Sequence, residues 1–350
     1  MLVMDFGLLI PVYKPTPQLA YLLETLATRF STIVLVDDGN TEEEHQHLLS
    51  FEKKGVKVLR HEMNKGKGEA LKTGLTWFAK QKNIEAVVTA DADGQHHPTD
   101  ILNLMNAYAA EPDSVYLGVR DFAGDVPLSN RLGNQITRFI FRLLTGRKLK
   151  DTQTGLRVFP RAILPTLLDL KGSRYDYEMN VLIHVVKQDI PLQEISIYTV
   201  YEQKHAFSSF RKWRDSFLIY RALLGPFLTF TFVSLSSFVL DLVLFLLFYT
   251  FIFLNNPSLI FLAVILARLV SGVYNFIMNR VVTFQSKQSW LVAGSQYIVL
   301  YLVVLGLSAA GTQLFLPLFS MQPWLTKVLV DGGLFIFSFF IQRTVIFKHV

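Results

Sequence analysis

Four apolar stretches, 226–253, 258–282, 290–319 and 323–347, occupy the second half of the chain and dictate what it can fold into. From Gly225 to the end there are six Lys or Arg and two acids, whereas the first 224 residues carry 28 and 26. Each stretch exceeds the roughly 20 residues needed to cross a bilayer. Each is apolar around its whole circumference, unlike a helix at the edge of a water-soluble core. The chain is therefore expected to form two bodies for two solvents, with 1–207 in water and 225–350 as an all-α domain of four transmembrane helices. Between them "SSFRKWRDSFLIYRALL" (208–224) mixes basic residues with Phe, Trp and Leu, and reads as an amphipathic interfacial helix lying on the membrane.

Loop charge sets the expected orientation. Arg211, Lys212, Arg214 and Arg221 precede the first stretch, Arg280 and Lys287 follow the second, and Lys348 follows the fourth. The turns at Asn255–Asn256 and Ser320–Met321 carry no charge. The positive-inside rule then places both termini and the first body in the cytoplasm, in a multi-pass protein of the cell (plasma) membrane. The N-terminus lacks the succession of a secretory signal, which agrees with that side. A net charge of +6 does not point to nucleic acid; a basic strip beside apolar segments suits anionic lipid. The absence of cysteine excludes disulfides and thiolate metal sites. Arg268 lies ten residues into the second stretch from Ser258, about 15 Å deep at the helical rise. It is expected to face the bundle interior and pair with Asp241 or Asp331, because an unpaired charge at that depth is costly. Lys327, nearer a helix end, can snorkel.

In the first body, short apolar runs alternate with helical patterns. "GLLIPV" (7–12), "TIVLVDD" (32–38), "VKVLR" (56–60), "EAVVTAD" (85–91) and "SVYLGV" (114–119) read as strands. "TPQLAYLLETLATRF" and "GEALKTGLTWFAKQK" between them have helical spacing. This alternation predicts a mainly parallel sheet with helices on both faces. Such sheets bind ligands at the carboxyl ends of their strands. Asp37 and Asp38, Asp91 and Asp93, and Arg120 all fall at such ends.

"VVTADADGQHHP" (87–98) sets two carboxylates two residues apart at a strand end. Counted from Asp91, His96 and Leu102 stand where a helix–loop–helix calcium site needs Gly and Glu, so that reading fails. Asp-x-Asp suits a hard divalent cation that takes its other ligands from water and phosphates. "NKGKGEALKTG" (64–74) opens a helix with glycines beside Lys65 and Lys67, an arrangement that lets backbone N–H groups and a lysine approach a diphosphate. It is not a Walker motif. "VDDG" (36–39) can hold a base or ribose, and "SNRLGNQITR" (129–138) offers Arg131 and Arg138 to a second anion.

Taken in order, "LLIPVYKP", "VDDG", "NKGKGEAL", "DADGQHHP", "SNRLGN" and "DTQTGLRVF" resemble the family 2 glycosyltransferases. The similarity is greatest to the polyprenyl-phosphate sugar transferases, of the dolichyl-phosphate mannose synthase and bactoprenol glucosyltransferase type. It covers roughly residues 6–220. The apolar half resembles a GtrA-type membrane domain through "VYNFIMNRVVTF" (273–284). "FSFFIQRTVIF" (337–347) departs from that pattern at Phe339 and Gln342.

The resemblance implies a GT-A (Rossmann-like) α/β domain and a membrane-bound, inverting hexosyltransferase. Its expected donor is a nucleotide-sugar, with UDP favoured, and its expected acceptor is polyprenyl (undecaprenyl) phosphate. The product would be a lipid-linked sugar for cell-envelope and cell-wall polysaccharide modification. By the same resemblance Pro11, Tyr13, Asp37, Asp38, Lys65, Lys67, Gly68, Asp91, Gln153 and Thr154 bind the nucleotide-sugar. Asp91, Asp93 and Gln95 hold Mg2+ or Mn2+. Arg120, Arg131, Arg138 and Arg211 meet the acceptor phosphate, and Asp93, Arg131 and Asp151 form the catalytic set. Glu178 is a further sugar contact. Self-association into a homo-oligomer is left open. A processive polysaccharide synthase would carry Gln-x-x-Arg-Trp, and Arg-Trp does not occur here. The remaining alternative is a translocator (flippase) of polyprenyl-phosphate sugar through the GtrA-like domain, alone or in addition to transfer.

Overall fold

The computed structural model describes residues 4–120, 128–198, 211–254, 256–319 and 323–347. It divides into two compact units, Met1–Leu223 and Leu224–Val350. The first unit is built on strands β1 (Phe6–Val12), β2 (Thr32–Asp38), β3 (Val56–His61), β4 (Ala86–Thr89), β5 (Val115–Arg120), β6 (Arg157–Pro160) and β7 (Leu192–Ile197). Its helices are α1 (Pro17–Leu26), α2 (Glu42–Leu49), α3 (Lys67–Ala79), α4 (Pro98–Ala110), α5 (Leu128–Thr145), α6 (Leu164–Leu168) and α7 (Tyr175–Lys187).

The seven strands form one sheet in the order β3-β2-β1-β4-β6-β5-β7. All neighbours are parallel except β6, which runs antiparallel to both β4 and β5. The expected mainly parallel sheet is present, and β1, β2 and β4 are largely continuous apolar runs because helices cover both faces, whereas the edge strand β3 alternates. Leu8, Leu9, Ile10, Val34, Leu35, Val87 and Val88 are all fully buried. β6 and β7 are additions that the alternation does not announce.

The chain order reverses between β1 and β4, since β2 and β3 lie on one side of β1 and β4 on the other. β1 pairs with β2 as far as Val12, but with β4 only as far as Leu9. The two strands therefore part at their carboxyl ends. Pro11, with no N–H to donate, sits where the β4 side has opened. A crevice at such a reversal is where open α/β sheets bind ligands.

Helix α8 (Lys212–Leu247) carries the chain from the first unit into the second without a break. The segment 208–224 was expected as a separate interfacial helix. From Lys212 onward it is instead the opening of α8, because Gly225 and Pro226 are absorbed in a long helix; 208–210 lie outside the described residues. Trp213 and Phe217 are exposed on it. α9 (Ile260–Met278), α10 (Trp290–Phe319) and α11 (Pro323–Ile341) complete the second unit. Among the described residues, four helices are long and apolar enough to cross a membrane: Trp213–Ile252, Pro257–Thr283, Trp290–Phe315 and Leu325–Ile346. Their outward surfaces are mostly Leu, Val, Ile and Phe. The loop residues Asn255, Ser320 and Met321, and Lys348, fall outside the described residues.

Arg268 does pair with Asp241, at 3.5 Å, but its side chain is 57% exposed against 18% for the aspartate. The expectation that it faces the bundle interior is corrected: the arginine reaches the acid from the rim of the helix pair. Asp331 is taken by Lys327, one helical turn earlier, at 3.1 Å.

Candidate active site

Four segments converge on the crevice between β1 and β4. The first is the loop after β1. Tyr13 is exposed there, and the Lys14 N–H donates to Asn40 Oδ1 at 2.6 Å. The second is the loop after β4, with Asp91 and Asp93. It is tied back by Thr16 Oγ1 donating to the Ala92 carbonyl at 3.0 Å, and by the Gln95 N–H donating to Asp93 Oδ1 at 3.1 Å.

The third is the start of α3. Gly66 has φ of 102°, and a Cβ there would press on the Ser173 carbonyl. The Lys65 and Gly66 N–H groups both donate to the Asp38 carboxylate at 2.9 Å, and the Glu69 N–H donates to the Ser173 carbonyl at 3.1 Å. These amides, read from sequence as diphosphate donors, are already engaged. What reaches the crevice is Lys67, with Nζ 2.6 Å from Asp91 and 3.0 Å from Glu178. Lys65 is exposed, while Gly68 is buried against Tyr177.

The fourth is 151–155, brought in because β6 runs back alongside β4. Thr89 Oγ1 donates to the Gly155 carbonyl at 2.9 Å. Gly155 lies so close to Asp91 that a Cβ would collide with the carboxylate. Asp151 is fully buried and takes a forked bond from Arg120 at the end of β5, Nε at 2.7 Å and Nη2 at 3.1 Å. The Gln153 N–H also donates to Asp151, at 2.9 Å, and Thr154 is buried.

The electrostatics follow from this layout. Burial alone would raise Asp91, but the Lys67 ammonium and His96 hold it well below the ordinary carboxylate value. Lys67 would be lowered by burial, yet Asp91 and Glu178 keep it above its ordinary value, so it stays charged. Asp93 goes the other way: burial first, then the neighbouring Asp91 charge, raise it above the usual range. One carboxylate is thus neutralised by a lysine and the other is short of positive charge.

Asp37 and Asp38, read as nucleotide contacts, are each held by three protein donors. Asp37 is fully buried and accepts from the Asn40 N–H and Nδ2 at 2.9 and 2.7 Å, with His45 Nδ1 at 2.6 Å. Asp38 is met by His61 Nδ1 at 2.8 Å as well as by the two loop amides. These bonds fix the loops beside the crevice. Arg138 Nε donates to the Leu149 carbonyl at 2.9 Å. Arg131 is exposed on α5, and Arg211 is exposed ahead of α8.

Segment 8–168 matches the family model for glycosyl transferase family 2, and 229–347 matches that for the GtrA/DPMS transmembrane domain. An uncharacterized protein of Methanocaldococcus jannaschii is 31% identical over 205 residues, covering 57% of this chain and 83% of the relative. The UDP-N-acetylglucosamine--dolichyl-phosphate N-acetylglucosaminyltransferase of Methanococcus voltae is 30% identical over 217 residues, covering 56% of this chain and 86% of the relative. The chain belongs to glycosyltransferase family 2.

The fold of this family 2 glycosyltransferase is shared by glucosyl-3-phosphoglycerate synthase from Mycobacterium tuberculosis, crystallised with Mn2+, UDP and phosphoglyceric acid. The two superpose with a TM-score of 0.50 at 14% identity, over 63% of this chain and 78% of that one. The transferase also has features that its motifs did not single out. Helix α5 buries Asn134, Thr137, Phe141 and Leu144 and exposes Leu132, Ile136, Phe139 and Leu143 beside Arg131 and Arg142. An exposed apolar stripe with flanking arginines is the pattern of a helix that lies on a bilayer. Arg174 forks onto the fully buried Asp215, Nε at 2.6 Å and Nη2 at 3.1 Å, tying the loop beside Gly66 to the first turn of α8. Arg157 is 2% exposed and donates to the Thr154 and Glu178 carbonyls at 3.0 and 2.9 Å, joining the fourth segment to α7 from behind.

Gly155→Ala tests the close approach to Asp91. It should lower transferase activity by roughly 10²-fold through displacement of the carboxylate, while thermal unfolding of the purified variant shifts little. Native activity in Gly155→Ala would show that Asp91 does not have to stay where the structure holds it.

Proposed function

We propose that this transferase moves one sugar from a nucleotide-sugar, with UDP favoured, to the phosphate of a polyprenyl lipid at the cytoplasmic face of the membrane, inverting the anomeric carbon. The observation that carries the reading is the Asp91–Asp93 crevice on a chain that also supplies four membrane-length apolar helices. A crevice tied by covalent chain to a bilayer suits a lipid acceptor. The dolichyl-phosphate transferase among the relatives supports that acceptor, and the apolar stripe of α5 would bring Arg131 to the headgroup layer.

The donor set fits a divalent cation. Among the described residues no group of three His, Asp or Glu forms a closed cage. Two strand-end carboxylates, one of them short of positive charge, suit a hard ion that completes its shell with diphosphate oxygens and water. Asp91 and Asp93 would hold Mg2+ or Mn2+, with Gln95 alongside. When bound, it would neutralise charge on the leaving nucleoside diphosphate. Lys67, bridging Asp91 and Glu178, is placed to add positive charge beside the same diphosphate. Arg120, oriented by the buried Asp151, and Arg131 on α5 would hold the acceptor phosphate. A phosphate monoester has a second pKa near 6, so it attacks as a dianion without a protein base. Positioning and charge neutralisation then supply most of the catalysis.

A second reading, translocation of the lipid-linked sugar by the membrane unit, is favoured by its polar chain. Asp241 accepts from Ser271 at 2.9 Å, Asn275 donates to Ser237 at 2.9 Å, and Asn279 donates to Asn275 at 2.8 Å. Polar groups repeated along a span usually line a pathway.

Purified protein, polyprenyl phosphate and a panel of UDP- and GDP-sugars test the transfer. The expected result is incorporation from one UDP-sugar that EDTA abolishes and Mg2+ or Mn2+ restores. Full activity in EDTA would remove the metal from the proposal, and exclusive use of a GDP-sugar would remove UDP.

A further inference from the structure

The second and fourth apolar helices end alike. One offset in sequence carries Asn279 to Gln342, Arg280 to Arg343 and Phe284 to Phe347. In each copy the helix widens into a single π-helical turn, Asn279–Thr283 and Gln342–Ile346. The Phe284 N–H closes the first turn onto the Asn279 carbonyl at 2.8 Å, and the Phe347 N–H closes the second onto the Gln342 carbonyl at 2.7 Å. π-Turns of this kind recur at functional sites. Phe284 stacks on Phe347 with centroids 5.3 Å apart, so the two turns lie side by side.

Among the described residues, neither turn's arginine has a counter-charge. Arg280 is 6% exposed; its guanidinium lies on Trp290, 4.1 Å from the ring centroid, and Nη2 donates to the Gln288 carbonyl. Nη1 of Arg280 is covered and meets no acceptor, and the same holds for Nη1 of Arg343. The two acids of this unit are committed elsewhere, Asp241 to Arg268 and Asp331 to Lys327. The covered Oε1 atoms of Gln288 and Gln342 also lack partners. A desolvated guanidinium without a carboxylate is strongly unfavourable. At matching places, the buried Arg280 and the half-buried Arg343 call for an anion beyond the described residues. The planar fork of a guanidinium matches phosphate, and at the end of a membrane-crossing helix the phosphates at hand belong to lipids.

We propose that Arg280 and Arg343 form a paired site for the phosphate of a lipid headgroup, with the Gln288 and Gln342 oxygens open to hydroxyls of the same headgroup. The short connection 285–289, exposed at Lys287, is tied to Arg280 through the Ser286 N–H to the Arg280 carbonyl at 3.0 Å.

The test is thermal unfolding of the full chain in a maltoside detergent and phosphate-free buffer, with phosphatidylglycerol, polyprenyl monophosphate or uncharged polyprenol added. The native midpoint should rise by ~5 °C with a phosphate-bearing lipid and stay unchanged with polyprenol. Arg280→Met/Arg343→Met should unfold at the same or a higher temperature without lipid, because one buried and one half-buried charge are gone, and should lose that rise. Subtracting the response of this double variant cancels any contribution from the catalytic unit. A lost response to both lipids assigns the site to bulk phospholipid; a lost response to polyprenyl monophosphate alone assigns it to the isoprenoid. Arg280→Lys guards against a folding defect, since it keeps the charge without the fork, and it should need at least about threefold more lipid for the same rise. A double variant or an Arg280→Lys protein that responds as the native chain does would overturn the proposal.

Discussion

Asp93→Asn should abolish sugar transfer, with a loss of at least ~10³-fold, while the purified protein keeps or gains thermal stability. The stability part follows from the layout. Asp93 is held above its ordinary carboxylate value by burial and by Asp91, and no ion pair joins it among the described residues. A neutral amide of the same shape relieves that repulsion in the ligand-free protein. The activity part follows because the same uncompensated charge is what would attract the cation and, through it, the diphosphate. Asp91→Asn should behave differently. It strips Lys67 of its 2.6 Å partner and should lower the midpoint as well as the rate. Comparing rates and midpoints of the two variants checks both statements. An active Asp93→Asn protein would contradict the role given to this residue.

The second large effect concerns the Arg120–Asp151 pair. Asp151 is fully buried, and Arg120 meets it through two bonds. Asp151→Ala leaves a largely buried guanidinium without its carboxylate, which costs about 3 kcal/mol. The midpoint should fall by roughly 6–12 °C. Arg120→Met combined with Asp151→Leu replaces both charges with apolar side chains and should recover most of that loss. Transfer activity should stay absent in the double variant if Arg120 contacts an anionic substrate. Recovery of both stability and activity would make the pair a structural clamp and nothing more.

The sequence revealed most where apolar runs were continuous. β1 to β5 lie where their Val, Ile and Leu runs predict, and the paired carboxylates fall at the crevice because strand ends at a reversal of strand order are fixed by topology. β6 was hidden because it is a four-residue strand that begins with Arg157 and ends with Pro160. Only its antiparallel pairing with β4 shows that 151–155 lies against Asp91. β7 was hidden because "LQEISI" is half-exposed and carries a charge. That His45 and His61 hold Asp37 and Asp38 was not legible in sequence, since the histidines stand in separate elements and no spacing rule links them. The periodicity of α5 gives one apolar and one polar face, but it does not say that Leu132, Ile136, Phe139 and Leu143 stay uncovered. Arg268 and Asp241 could be matched by depth along their helices, whereas the exposed position of the arginine depends on helix rotation, which depth does not specify.

The central claim is that the sugar ends on a lipid phosphate. It is tested most directly by incubating the purified full chain with a labelled UDP-sugar, Mg2+ and polyprenyl phosphate, and measuring the mass of the product that partitions into organic solvent. The account predicts a species heavier than polyprenyl phosphate by one hexosyl or N-acetylhexosaminyl unit, released by mild acid and missing from the Asp93→Asn reaction. Label that stays in the aqueous phase, or that enters the organic phase equally with uncharged polyprenol as acceptor, would contradict it.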